Sequence, residues 1–525
     1  MNEHNNLYYH QQPMMPPQQP RGWRQPILRA KDAFPSWLSQ YSMVAYILAL
    51  AVVSFLYSDH SLPWYYMLSG VVAVMVFFLY GGYATKNLAV EKVRKEKTFE
   101  KKIFLMAFIP RVVFMLLIYW IFQENYGNAF GFENGDPTFY DEQGAAFAGA
   151  LRKGNFTEVW KYTSSMIDIS DLGYAVYVGL IYWLTGSGTT GSMQLIGDAA
   201  ATSALSILTV RMLKCVLSAI TVVLIYRIAK RNFGEQTGRI SAIFCALWPN
   251  YWYYCGTHLK EVEMVFLAVL FVEQADQMLR SRQFTAWKVV PILLIAAAMF
   301  TVRTPLGLVA ILALVFSVVM SSSRVVNWGK RIIIGILAIL LLFVVAGNRL
   351  EEKSNELFNR VQADEQRQNM EWRARRDNGN AFAKYAGKSV FAPLIFTIPF
   401  PSMVRPYDGQ DVLQIVNGGN FVKNIISAFT IFALAMLLMS GKWRDHLLPL
   451  SFMLGYLAVL VMSTFAQSER FHQPATPFEF MFAAYGLSIA LTKPKYKRWF
   501  TYWCGLMFVA CIAWNWFKMA GRGLA

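Results

Sequence analysis

Apolar segments of roughly twenty residues recur along this chain from residue 41 to residue 517, and about that length of helix is needed to cross a bilayer. Hydrophobic residues make up 55% of the 525 and charged residues only 15%. A soluble chain of this length would carry far more charge. Because a backbone inside lipid must satisfy its own hydrogen bonds, the sequence predicts an all-α polytopic membrane protein.

The apolar pattern predicts thirteen transmembrane helices. They lie at 41–58, 64–83, 103–123, 208–229, 239–255, 259–276, 286–302, 305–321, 331–347, 421–440, 446–465, 474–491 and 498–517. The segment 172–186 is apolar and aromatic but short. The loop 84–102 carries seven Lys or Arg and is expected in the cytoplasm. A crossing at 172–186 would place the basic loop 227–239 outside, so we expect this segment to be an interfacial helix.

This topology divides the chain into five regions. They are a disordered cytoplasmic tail (1–36), two N-terminal helices with a basic cytoplasmic loop (37–102), a membrane core with a large outer loop at 124–207 (103–347), a second large outer loop (348–420) and C-terminal helices (421–525). Much of the net charge of +17 lies in short loops between apolar segments. That pattern indicates membrane orientation, and nucleic-acid binding is not expected.

An acid-rich stretch in the first outer loop is the first candidate site. It runs Gly135-Asp136-Pro137-Thr138-Phe139-Tyr140-Asp141-Glu142. Asp136 before a proline is a good helix start, so an N-cap is one interpretation. The other is a carboxylate at the lipid–water boundary that takes a proton from an acceptor hydroxyl, with Tyr140 one turn later on the same face. Asp141 and Glu142 are expected to be solvated.

A second acidic group opens the helix predicted at 259–276, where Lys260 and Glu261 follow a short outer loop. Acids near a helix N-terminus are favoured by its dipole, so a cap or a simple ion pair is one interpretation. Alternatively, Lys260 binds a phosphate and Glu261 orients a substrate or a metal. Two outward acidic loops near helix ends are what a shared site requires.

Basic side chains lie at several membrane boundaries. Arg111 is well inside the third span, where an arginine needs a partner or a polar cavity, so we expect a structural or site-supporting role. Arg303 lies between two spans, where it either binds a lipid phosphate or snorkels. The remaining candidates for binding a phosphate headgroup are Arg470 and His472 before the twelfth span, and Arg405 after Pro401.

In order and spacing, these motifs resemble the GT-C superfamily of membrane glycosyltransferases, more closely the bacterial relatives of the dolichyl-phosphate-mannose protein mannosyltransferases and the lipid A aminoarabinose transferases. The likeness covers about residues 103–491. It rests on Arg111, Asp136-x-x-x-Tyr140, Gly154, the stretch from Gly173 to Gly186, Arg211 through Gly234, Lys260-Glu261, Arg303-Thr304-Pro305 and Arg470-Phe471-His472-Gln473-Pro474-x-x-Pro477. The family's Asp-Glu doublet is Asp136-Pro137 here, so a second carboxylate beside the first is missing.

The resemblance implies an enzyme that moves a hexosyl or pentosyl group from a polyprenyl-phosphate donor to a protein, lipid or glycan acceptor. It implies Asp136 as the catalytic base and Glu261 as part of the site. It also implies a bacterial inner membrane. With the cytoplasmic N-terminus predicted from the basic loops, the active site is expected in the periplasm. No nucleotide or organic cofactor is expected, because no nucleotide-binding motif is present; a divalent cation stays open. An O-antigen or capsule polymerase and a lipid-linked sugar flippase are the alternatives.

The predicted topology can be tested by labelling. Single cysteines introduced at Ser164 and at Thr189 should both react with a membrane-impermeant thiol reagent added from outside, because 172–186 is predicted to lie on the surface. Protection of the cysteine at position 189 alone would show that this segment crosses the membrane.

Overall fold

The computed structural model describes residues 34–131, 135–154, 169–187, 203–281, 286–323, 392–405, 414–463, 466–491 and 495–521, with a few single residues between them. The described residues form helices joined by turns, and they contain no named strand. The predicted all-α class is therefore confirmed for this part of the chain. The predicted span 331–347 and most of the second outer loop lie outside the described residues.

Seventeen α-helices are used below to locate side chains. They are α1 Ser36–Leu56, α2 Trp64–Met75, α3 Gly81–Asn87, α4 Glu96–Tyr126, α5 Asp136–Arg152, α6 Ile169–Thr185, α7 Ala204–Phe233, α8 Glu235–Leu247, α9 Pro249–Gly256, α10 Glu261–Arg280, α11 Val289–Val302, α12 Thr304–Met320, α13 Gln414–Met439, α14 Leu447–Met462, α15 Glu469–His472, α16 Thr476–Ala490 and α17 Lys495–Ala520. Shorter helical turns are Ser58–His60, Val76–Tyr80, Ala286–Lys288, Ala392–Leu394 and Lys442–His446.

Among the described residues, 7 helices are long and apolar enough to cross a membrane. They are Ser36–Leu56, Trp64–Asn87, Glu96–Tyr126, Ala204–Phe233, Ile415–Met439, Lys442–Met462 and Tyr496–Ala520. The shorter apolar helices α11 and α12 fall on two further predicted spans. The chain is a multi-pass membrane protein, and the count of thirteen spans stays a prediction.

The predicted span 239–255 consists of two helices. Helix α8 ends at Leu247, and α9 begins at Pro249. Proline has no backbone N–H and its ring clashes with the preceding turn, so it starts a helix far better than it continues one. The break leaves the last carbonyl groups of α8 without their partners within the helix.

Arg111 in α4 binds two of these carbonyl groups. Its guanidinium lies 3.0 Å from the oxygen of Cys245 and 3.1 Å from that of Ala246. It also donates to the Ser218 hydroxyl of α7 at 2.8 Å and to the Ala107 carbonyl at 2.6 Å. The buried cation therefore joins α4, α7 and the end of α8.

Helices α5 and α6, which lie in the region predicted to be the first outer loop, pack closely together. A Cβ atom at Gly179 would lie 2.6 Å from Cδ1 of Phe147, and one at Gly144 would lie 3.1 Å from Cβ of Val178. Both glycines are therefore needed for the close approach of the two helices. Helix α6 coincides with the segment predicted to be interfacial, and its placement on the membrane surface stays a prediction.

The far end of α10 holds a group of ion pairs. Arg231 lies 3.0 Å from both Glu273 and Asp276, and Arg280 lies 2.8 Å from Asp276. Because a helix rises about 1.5 Å per residue, these pairs are well separated from Glu261 at the other end of α10. They link α7 to α10 and so fix the helix that begins with the candidate site residue Glu261.

The role of Arg111 as a joint between helices predicts a stability effect. Arg111→Met should lower the thermal unfolding midpoint in detergent, because the buried carbonyl groups lose their donors. Arg111→Lys should recover only part of the loss, since an ammonium cannot reproduce the planar fork. The control is Arg227→Met, which removes a side chain 44% exposed and paired with Glu100, where ion pairs contribute little. Equal losses in Arg111→Met and the control would contradict this role.

Candidate functional site

Two carboxylates and one guanidinium from distant parts of the chain meet in a single contact. Arg470 Nη1 lies 2.8 Å from Asp136 Oδ2, and Arg470 Nε lies 2.7 Å from Glu261 Oε1. Asp136 begins α5, Glu261 begins α10 and Arg470 lies in the short helix α15. The structure thus brings together three residues that the sequence named as separate candidates.

The two carboxylates differ in their exposure. The Asp136 side chain is 56% exposed, whereas that of Glu261 is 3% exposed. Gly135 holds the N-cap position of α5, and no side-chain cap bond is formed there. The Asp136 carboxylate therefore faces Arg470 and the open side of the site, which does not match the interpretation of Asp136 as an N-cap.

Arg470 is charged and geometrically fixed. Burial opposes its charge, but the carboxylates of Glu261 and Asp136 hold the pKa of Arg470 well above its usual range. A planar guanidinium can present two N–H groups in fixed directions, which an ammonium cannot do. Arg470 is consequently able to orient both carboxylates at once.

Lys260 lies next to Glu261 but points to a different partner. Its ammonium forms an ion pair with Asp171 and also donates to the carbonyl groups of Ser170, at 3.1 Å, and Val302, at 2.8 Å. Since an ammonium has three donors, these contacts use all of them. Lys260 ties the start of α6 to the end of α11.

Asp171 is a site residue that sequence reasoning missed. Its Oδ1 atom accepts the Tyr140 hydroxyl at 2.8 Å as well as the Lys260 ammonium. Burial and the nearby Asp171 carboxylate raise the pKa of Tyr140 far above its usual value, so the phenol keeps its proton. An acid directly before the apolar segment 172–186 was the available signal, but the sequence does not reveal its two partners.

Arg303 lies beside Arg470. Its guanidinium carbon is 4.1 Å from the centre of the Phe471 ring, and that of Arg470 is 5.8 Å from the same ring. An arginine over an aromatic face is held by the ring quadrupole. The two cations therefore flank one phenyl ring.

His472 and Arg405 contact other residues instead. His472 is buried, with Nδ1 at 2.8 Å from Lys423 Nζ and Nε2 at 2.8 Å from the Ala466 carbonyl. Burial and the Lys423 cation lower the pKa of His472 well below its usual value, so it is neutral. The backbone N–H of Arg405 donates to the His60 carbonyl at 2.8 Å. These contacts do not involve Asp136 or Glu261.

Side chains of α5, α6, α7 and α10 form a second buried polar group. The Tyr182 hydroxyl donates to Asp141 Oδ1 at 2.5 Å and lies 3.3 Å from His258 Nε2, while Lys214 lies 3.5 Å from Glu263. The expectation that Asp141 is solvated is therefore wrong, because its side chain is turned inward to Tyr182. Burial and the cations Lys214 and Arg211 hold the pKa of His258 well below its usual value.

A metal ion would require several oxygen, nitrogen or sulfur ligands. Within the described ranges, no group of three or more His, Cys, Asp or Glu side chains could hold one. The positive charge between Asp136 and Glu261 is supplied by Arg470.

Comparison with known proteins bears on one part of this site. Residues 198–348 match the model of the dolichyl-phosphate-mannose-protein mannosyltransferase family. No curated protein matches the chain at a significant level. The matched residues include Lys260, Glu261 and Arg303, so the resemblance deduced from the sequence is confirmed over this segment. With its membrane-spanning helices, the match supports a GT-C superfamily membrane glycosyltransferase.

Proposed function

We propose that this protein transfers a sugar from a polyprenyl-phosphate donor to an acceptor at the outer face of the membrane, with Asp136 as the general base. The observation that carries the proposal is the contact in which Arg470 bridges Asp136 and Glu261. In this contact, Arg470 fixes the direction of the exposed Asp136 carboxylate, and the buried Glu261 carboxylate holds Arg470. The match to the mannosyltransferase family supports the choice of a lipid-linked sugar as donor.

The proposed reaction is a single displacement. Asp136 takes the proton of the acceptor hydroxyl as its oxygen attacks the anomeric carbon of the donor sugar. The bond between that carbon and the phosphate oxygen breaks, and the electron pair leaves with the polyprenyl phosphate. Attack opposite the leaving group inverts the anomeric configuration. The reaction ends with the proton on Asp136.

The leaving phosphate gains negative charge as its bond to the sugar breaks, and a fixed cation nearby stabilises that charge. Arg303 is the cation that we assign to this role, because it stacks on Phe471 beside Arg470. Lys260 is already bound by Asp171 and two carbonyl groups. We therefore reassign Lys260 from phosphate binding to holding α6 over the site.

The donor is taken to be anchored in a bacterial inner membrane, with the site in the periplasm and the N-terminus in the cytoplasm. The transferred group is a hexose or a pentose, and the acceptor is a protein, a lipid or a glycan. A flippase would need charged groups along a central path. Arg111 is instead bound by carbonyl groups at the end of α8.

Asp136→Asn tests the base directly. The amide keeps the size of the side chain but cannot accept a proton, so transfer of labelled sugar from polyprenyl phosphate should fall by roughly 10²–10⁴-fold. Binding of the donor and the thermal unfolding midpoint should stay close to those of the unmodified protein. Glu142→Gln, which removes an exposed carboxylate from the same helix, is the matched control and should transfer normally. Near-normal transfer by Asp136→Asn would refute the assignment of the base.

Arg470→Lys tests the bridge between the two carboxylates. The ammonium keeps the positive charge but cannot donate to both acids in the same geometry. Loss of one hydrogen bond to a charged group should lower the transfer rate by about 10–100-fold. Steady-state kinetics should show the loss mainly in kcat, because the donor phosphate is assigned to Arg303. A loss confined to the KM of the donor would place Arg470 at the phosphate instead.

A further inference from the structure

A small cavity lies beside Glu261. Helices α7, α9 and α10 and the residue after α15 form its walls. Six of its lining residues are buried and carry polar groups, and three of them, Tyr251, Glu261 and Gln473, matter here. The space is about that of one water molecule.

Each of the three residues has a buried polar atom without a protein partner. These atoms are the Tyr251 hydroxyl, Glu261 Oε2 and Gln473 Oε1. Such groups are costly to bury unless something satisfies them. Glu261 uses its other oxygen for Arg470, and Gln473 uses its amide N–H₂ to donate to the Glu469 carbonyl at 3.0 Å. The remaining atoms are thus two acceptors and one hydroxyl, carried by residues that line one cavity.

One water molecule satisfies this set completely. Water can donate two hydrogen bonds, to Glu261 Oε2 and Gln473 Oε1, and can accept one from the Tyr251 hydroxyl. We propose that a structural water binds in this cavity, and that Tyr251 and Gln473 act through it as positioning residues for Glu261. The functional part of the proposal rests on the proposed glycosyltransferase activity.

The consequence for the site follows from the two oxygens of Glu261. The water holds Oε2, so Oε1 keeps a fixed direction toward Arg470, and Arg470 in turn holds Asp136 at 2.8 Å. A chain of hydrogen bonds thus links Tyr251 in α9 to the exposed carboxylate in α5. Without the water, the Glu261 carboxylate could rotate toward the cavity and lose its hydrogen bond to Arg470.

The test is a double-mutant cycle between Tyr251 and Glu261. Tyr251→Phe removes the hydroxyl that donates to the water and should lower kcat for transfer about five- to tenfold, with the KM of the donor unchanged. In a Glu261→Gln background, the same change should cause little further loss, because the carboxylate on which the water acts is gone. Val265→Ile, which adds a methyl group to the cavity wall, should reproduce the effect of Tyr251→Phe by displacing the water.

The control is Tyr46→Phe, which removes a hydroxyl from an equally buried tyrosine in α1. Its effect should be the same with glutamate or glutamine at position 261. The proposal is overturned if Tyr251→Phe leaves kcat unchanged, or if its loss is equally large in both backgrounds, as expected of a structural role alone.

The same cycle is measured on the thermal unfolding midpoint of the purified protein in detergent, which needs no substrate. Non-additive shifts for Tyr251→Phe and Glu261→Gln support the water bridge even if the unmodified protein transfers no sugar. That result would refute the proposed function alone. Additive shifts would refute the proposed water bridge, whatever the transfer assay shows.

Discussion

The ion pairs of Arg470 are the contact on which the rest of the site depends. They connect Arg470 to Asp136 at the start of α5, 334 residues away in the chain, and to Glu261 at the start of α10, 209 residues away. A guanidinium with only one acid beside it would leave the other carboxylate without a partner. Because Arg470 donates one N–H to each carboxylate, a shift of α5 or α10 would break a charge-assisted hydrogen bond. Such hydrogen bonds are among the strongest in proteins.

Buried charge elsewhere in the chain also has polar partners at close range. Arg111 is surrounded by carbonyl groups, Lys423 lies 3.4 Å from Glu479, and Lys260 is paired with Asp171. A charge in a low-dielectric interior is tolerated only with partners at close range. These pairs join helices that are distant in the chain, so the polar groups also fix how the apolar helices are arranged around the site.

Much of the candidate site could be predicted from residue type and position. Asp136, Glu261 and Arg470 were identifiable because charges beside apolar segments are costly and therefore informative. Their contact, the commitment of Lys260 to Asp171 and the inward turn of Asp141 toward Tyr182 were not. A pattern along the chain shows where a charge lies, but its partner depends on which helices pack against each other.

The sequence by itself determined that the chain is a helical membrane protein and located its apolar helices, because burial in lipid acts on each segment of about twenty residues separately. The break at Pro249 was not predicted: the apolar pattern indicated one span at 239–255, where the structure has two helices. Only the tertiary structure decided that Arg470 bridges two acids and that Tyr251, Glu261 and Gln473 surround one cavity. Those arrangements arise from close packing between distant segments, which no local pattern specifies.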